Sequence, residues 1–261
     1  MSAVLKIFSY LPNPRVWKSV IAGQISGVEV EVIGDKPSKL GTWLWDFNPR
    51  EMEEDEMTKD NPYIRTGKRG FSGALFKSDR FLKAHPFGTV PAAFSPEGDI
   101  GVFESNSILR AVARVGESGK LYGKNIYESS RIDSFLDANL IFAREAQVYL
   151  LEVENLTQDG FNRMSEAYEF YVSGLEVSLS NNEYISCNEL TIADISFVCD
   201  FAQFLREGHY QETLEKKGFK LITENGLKEY PLVYKHLLRL SDREEFSSVM
   251  GNYLDWYKEK L

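Results

Sequence analysis

Residues 88–114, GTVPAAFSPEGDIGVFESNSILRAVAR, constrain this chain more than any other stretch. Two short apolar runs, 92–94 and 101–103, flank Ser-Pro-Glu-Gly-Asp and read as a β-hairpin. Ile108, Leu109, Val112 and Val115 then recur at helical spacing. Ser105 therefore stands where a helix begins, among backbone N–H groups without partners and at the positive end of the helix dipole. Such a place suits a carboxylate, and Glu104 beside it suits an ammonium group. Adjacent seats of opposite sign match the α-amino acid end of a ligand. Taken alone, a serine after a strand is more often a plain helix cap.

The chain before this stretch reads as a βαβ unit. Residues 4–9 form a strand pattern, and Asn13-Pro14 is a helix start, a capping residue followed by a ring already set for the first turn. Val16, Val20, Ile21 and Ile25 supply an apolar stripe, and Gly27 ends the helix. Val28, Val30 and Val32 then alternate with Glu29 and Glu31, the period of a half-buried strand. Residues 79–84 read as a short helix before the hairpin. From about residue 121 every apolar pattern is helical: Ile132, Phe135, Leu136, Leu140 and Ala143; Phe161, Met164, Tyr168, Tyr171 and Leu175; Ile192, Ile195, Val198, Cys199 and Ala202. Thr191 and Asp194 have the spacing of a capping box, which reads as structural. The domains expected are 1–117 and 121–261, an α/β domain and an all-α domain, with the linker in 115–120.

Composition narrows the function classes. At 261 residues, with 43% hydrophobic and 26% charged side chains, the chain is an ordinary globular protein able to bury one large core or two smaller ones. A net charge of −9 argues against nucleic acid as a main partner. No apolar run spans a bilayer, and the first residues lack the pattern of a signal peptide, so a cytoplasmic protein without a membrane partner is expected. Two cysteines and three histidines, with no metal-ligand spacing among them, predict neither a disulfide framework nor a metal site. Cys187 and Cys199 read as small buried hydrophobes.

The strings AHPFGTVPAAF and VFESNSI resemble the cytosolic glutathione transferases, most closely the theta and phi types. They are also similar to the transferase-like domain of the elongation factor 1 gamma subunit, as are residues 6–32, KIFSYLPNPRVWKSVIAGQISGVEVEV. The resemblance runs end to end except for residues 36–75. It implies the glutathione transferase fold: an α/β thioredoxin-like domain followed by an all-helical one, in a homodimer. It also implies that glutathione is the co-substrate. Glu104 and Ser105 then hold its γ-glutamyl end, and Val90-Pro91 is a cis peptide whose Val90 backbone pairs with the cysteinyl unit. Lys77 corresponds to a lysine that contacts the glycine end. The family usually has Lys or Gln before Val-Pro; this chain has Thr89, too short to reach that end in the same way.

A cysteine thiol with a pKa near 8.5 is only a few per cent ionised at neutral pH, so a transferase must supply donors that stabilise the thiolate. The family places that donor in the loop after the first strand. Here the candidates are Ser9, Tyr10 and Asn13. Asn13 has a second role as the helix cap, and of Ser9 and Tyr10 only one faces the site. The loop contains no cysteine, which disfavours mixed-disulfide chemistry. Conjugation of glutathione to small electrophiles, a detoxification reaction, is the expected function. The alternative is a non-catalytic interaction module like the elongation factor domain. That factor carries a further C-terminal domain, and because this chain ends at Leu261, soon after its helical half, the enzyme is favoured. Residues 36–75 carry Trp43, Trp45, Phe47, Tyr63 and Phe71, too aromatic for a disordered linker. They are expected to form an ordered flap beside the ligand, with Arg65, Lys68 and Arg69 toward the carboxylate that Thr89 leaves poorly served; the alternative is a surface elaboration with no part in the site.

Overall fold

The computed structural model describes residues 3–67, 70–71, 73–116 and 120–260. It divides into two compact units, Met1–Gly116 and Glu117–Leu261.

In the first unit, β1 (Leu5–Tyr10), α1 (Pro14–Ser26) and β2 (Val30–Asp35) form the βαβ start. Asn13 caps α1 by accepting from the Arg15 N–H, and Gly27 closes it at a φ of 68°. A 3-10 turn (Pro37–Thr42) then leads into four short strands: β3 (Trp43–Trp45), β4 (Arg50–Glu51), β5 (Ile64–Thr66) and β6 (Ala74–Lys77). The helix α2 (Asp79–Ala84), the hairpin β7 (Ala92–Phe94) and β8 (Gly101–Phe103), and α3 (Ser105–Val115) complete the unit. The main sheet has the order β2-β1-β7-β8, with β1 parallel to β2 and antiparallel to β7. This is the thioredoxin-like arrangement.

The segment expected to form an ordered flap is a second sheet, ordered β4-β3-β6-β5 around the parallel pair β3–β6. It is not a flap lying on the domain, because its aromatics enter the core. Trp45, Leu40 and Leu75 are buried in one cluster with Phe8 of β1, Phe81 of α2, and Ala92 and Phe94 of β7. Phe71, Trp43 and Phe47 pack around it. Period-two alternation turns Phe8, Ala92 and Phe94 to this side of the main sheet. Ile7, Ser9 and Ala93 point to the other side, where Ser9 reaches the cap of α1. Lys68 and Arg69, two of the three cations expected beside the ligand, lie outside the described residues.

The described part of the second unit is helices and turns: α4 (Ile126–Glu152), α5 (Gln158–Leu179), α6 (Ile192–Leu205), α7 (Gln211–Lys216), α8 (Gly226–Glu229), α9 (Pro231–Ser241), α10 (Glu244–Met250) and α11 (Asp255–Lys258). Its core is aromatic, with Phe142 stacked on Tyr171 at 4.8 Å between ring centres and Phe201 5.2 Å from Phe197. Thr191 and Asp194 form the capping box of α6. Cys199 is buried, whereas Cys187, read from sequence as buried too, is only partly covered in the turn before α6. No described helix is long and apolar enough to cross a membrane.

Candidate functional site

The strand register gathers the sequence-derived candidates at one edge of the main sheet. Phe8 pairs with Ala92, and Ala92 with Phe103. Continued by two residues, the β1–β7 register would bring Val90 opposite Tyr10, and Ser105 opens the helix that follows β8, the strand on the other side of β7. The Val90–Pro91 bond is cis, as the resemblance implies, and so is Leu11–Pro12 in the neighbouring loop. Among the described residues, no backbone hydrogen bond outside the regular elements involves Val90.

Glu104 has φ 66° and ψ 124° and is the only described residue besides glycine with positive φ. Holding a side-chain-bearing residue there costs on the order of 1–3 kcal/mol, and such strain gathers at functional sites. Glu104 occupies the cap position of α3, but its side chain makes no capping bond and is exposed. Ser105 is the first helical residue and does not cap the helix with its hydroxyl. Its Oγ accepts from the Lys18 ammonium at 3.2 Å. The same ammonium donates to Asn106 Oδ1 at 2.9 Å. Sequence reading missed Lys18 and Asn106; a lysine beside the apolar stripe of α1 gives no sign that it turns inward.

In the loop after β1, Asn13 and Ser9 are fully buried and bonded to each other, the Asn13 amide donating to Ser9 Oγ at 3.0 Å. The Asn13 oxygen is committed to the Arg15 N–H at 3.0 Å. Tyr10 is only half-buried, with its ring 6.4 Å from that of Phe71. Replacing Asn13 with Ala removes a helix cap and the donor to a buried hydroxyl, and is expected to destabilise this unit by about 1–2 kcal/mol. Denaturant unfolding measures this, and an unchanged midpoint would mean the Ser9–Asn13 pair contributes nothing.

Lys77 is buried at the end of β6 and donates to the Gly88 carbonyl at 2.7 Å, its ammonium 4.7 Å from the Trp45 ring centre. Burial, and then the nearby Arg65, push its pKa down. In this geometry Lys77 ties down the loop that precedes Val90. Gly88 has φ 58°, and a Cβ there would lie 3.3 Å from the Lys77 nitrogen, so the loop accepts the lysine because that residue is glycine. Thr89 is exposed next to it.

A thioredoxin-like unit whose third helix opens on Glu-Ser, followed by an all-helical unit, is the glutathione transferase fold. Solved structures share it. A glutathione S-transferase from Methylobacillus flagellatus with glutathione bound superposes with a TM-score of 0.65 at 12% identity, over 94% of this chain and 98% of that one. A glutathione transferase from Phanerochaete chrysosporium in complex with oxidized glutathione gives 0.64 at 17% identity, over 97% of each chain. In sequence, the chain is 25% identical over 258 residues to elongation factor 1-gamma 1 of Oryza sativa subsp. japonica, covering 97% of this chain but 49% of that protein. It therefore spans about half the length of the elongation factors it matches. It is 23% identical over 260 residues to a glutathione S-transferase-like protein of Gibberella moniliformis, covering 94% of that protein. No protein-family model matches the chain.

Proposed function

We propose that this protein binds glutathione at the start of α3 and conjugates its thiol to small electrophiles. The observation that carries the reading is the pairing of a strained, exposed Glu104 with a Ser105 hydroxyl that makes no capping bond. The Ser105 hydroxyl and the helix N-terminus receive the γ-glutamyl carboxylate, and Glu104 receives the ammonium group. The Val90 backbone pairs with the cysteinyl unit. Thr89 lines the glycine end, and Lys77 supports it through Gly88. Among Ser9, Asn13 and Tyr10, we assign the thiol contact to Tyr10, because the other two are buried against each other. The resemblance further supports a cytoplasmic homodimer.

Ser105→Ala removes a hydrogen bond to a charged group, worth about 1.5–3 kcal/mol, so glutathione affinity should fall roughly 10- to 150-fold. Calorimetric titration of the wild type, Ser105→Ala and Glu104→Gln tests the seat. Equal affinity in all three removes it.

A second reading, a non-catalytic interaction module, is favoured by the similarity to elongation factor 1-gamma proteins and by the commitment of Asn13 to structure. A panel of electrophiles offered with glutathione separates the two. Turnover supports the transferase, and tight glutathione binding without turnover on any member supports the module.

A further inference from the structure

The second sheet brings one ring to the end of β1. Its strands β5 and β6 are joined by a tight tip in which the Gly67 N–H donates to the Gly73 carbonyl at 2.8 Å. Inside that closure a Cβ on residue 67 would lie 2.7 Å from the Phe71 carbonyl, so the tip folds back only because residue 67 is glycine. Phe71 is thereby turned onto the unit. Its ring meets Trp45 edge-on at 5.5 Å and Tyr10 edge-on at 6.4 Å. Trp45 is 1% exposed and anchored by its bond to the Leu40 carbonyl. Phe71 thus links a fixed ring of the core to a half-buried tyrosine.

The backbone of Tyr10 is set by the strand. It pairs with Asp35 of β2, and the next N–H, that of Leu11, donates to the Asp35 carbonyl at 2.9 Å. The strand does not set the direction of the ring, which turns about two torsions. A hydroxyl at the far end of a tyrosine moves a long way when the first torsion changes well. A ring against its flank limits that freedom, and edge-on contact is a preferred aromatic geometry. Placement matters at a thiol, because a displacement of about 1 Å can cost roughly a hundredfold in rate.

We propose that Phe71 is the positioning residue of the thiol site. From the tip of the inserted sheet it holds the Tyr10 hydroxyl where it donates to the glutathione sulfur. The proposal rests on the glutathione reading above and on its assignment of Tyr10. It gives the insertion a part in the chemistry through a side chain that acts on Tyr10 and not on the ligand.

The test follows the thiolate absorbance of glutathione bound to the full chain against pH. Wild type, Tyr10→Phe, Phe71→Leu, Phe81→Leu and the double variant Tyr10→Phe/Phe71→Leu are compared. Tyr10→Phe should raise the thiol pKa by about one to two units, the size of a hydrogen bond to a charged group. Phe71→Leu, which keeps an apolar side chain but not the flat ring, should raise it by at least about half a unit, a partial loss of the same bond. The double variant should lie within about 0.3 units of Tyr10→Phe, because the phenylalanine acts through the tyrosine. Affinity for S-methylglutathione, which has no thiol proton, should change by less than about twofold in Phe71→Leu. Phe81→Leu is the control for packing: Phe81 of α2 also meets Trp45 edge-on, at 5.8 Å, and its loss should lower the unfolding midpoint without moving the thiol titration. A Phe71→Leu protein that titrates like the wild type overturns the proposal. So does one whose affinity for S-methylglutathione falls about tenfold, or a Phe81→Leu protein whose thiol shifts as far. If Phe71→Leu does not fold, Phe71→Met is read in its place, and if neither folds the ring is a fold requirement and the proposal fails. A wild type that does not lower the thiol pKa of glutathione, or a Tyr10→Phe protein that titrates like it, removes the underlying assignment and this inference with it, so the two failures are distinct.

Discussion

Trp45→Ala is expected to destabilise the first unit by about 3–5 kcal/mol, the range for deleting a large buried aromatic. The indole is 1% exposed. Its ring centre lies 5.6 Å from Phe8, 5.5 Å from Phe71 and 5.8 Å from Phe81, all edge-on. Its Nε1–H donates to the Leu40 carbonyl at 3.0 Å. Truncation removes the apolar contacts and leaves that carbonyl without its donor. Since whole proteins are stable by only about 5–15 kcal/mol, this loss should be visible as a large drop in the denaturant midpoint followed by circular dichroism. A loss under about 1 kcal/mol would mean that the inserted sheet does not share the core. For the same reason, replacing residues 41–70 with a flexible linker should disrupt the fold of this unit.

Asp194→Ala should have a comparable effect on the second unit. The carboxylate is fully buried and accepts from the Thr191 N–H at 2.8 Å, the Thr191 hydroxyl at 3.0 Å and the Ile185 N–H at 2.9 Å. His236 Nε2 lies 2.9 Å from it. Arg239 approaches the other ring nitrogen at 3.0 Å, and because a guanidinium only donates, the histidine carries its hydrogen on Nε2 and gives it to Asp194. One side chain thus joins the capping box, the turn before α6, and α9. Removing one partner of such a buried set typically costs about 3–5 kcal/mol. Thermal unfolding of Asp194→Ala against wild type measures it, and a midpoint within a degree or two of wild type would exclude the network as a stabiliser. Asp194, read from sequence as structural, is committed to the fold.

The parts of the fold legible in the sequence were those with local chemical punctuation. Asn13 and Gly27 bracket α1, the Ser-Pro-Glu-Gly-Asp turn joins β7 to β8, and Thr191 with Asp194 opens α6. The second sheet had no such signal. Its strands are two to four residues long, too short for alternation to register. The aromatics announced that something must be buried but not where. On α4 the apolar pattern pointed to Leu140, which is exposed, while the buried stripe runs through Asn139. That polar residue is tolerated because it donates to the Tyr171 hydroxyl and accepts from Ser196. Pairings that satisfy a buried polar group across 32 and 57 positions of chain leave no periodic trace. The Glu104–Ser105 pair was visible as a helix start after a strand, whereas Lys18 beneath it was not, since a lysine's long stem looks the same whether it turns outward or inward.

The parallel pairing of β3 with β6 also bears on how the first unit assembles. Phe8 of β1 and its partner Ala92 are separated by 84 positions, and contacts between distant positions slow folding because the intervening chain must be closed first. The insertion lies inside that interval. Leu44 pairs with Phe76, so once this small sheet forms, the chain re-emerges about one strand spacing from where it departed. The roughly thirty residues between then add almost nothing to the remaining closure, whose entropy grows only with the logarithm of the open length. Folding order therefore decides the kinetic burden of the insertion. If β3 and β6 meet before β1 finds β7, the main sheet closes as though the extra segment were a short turn.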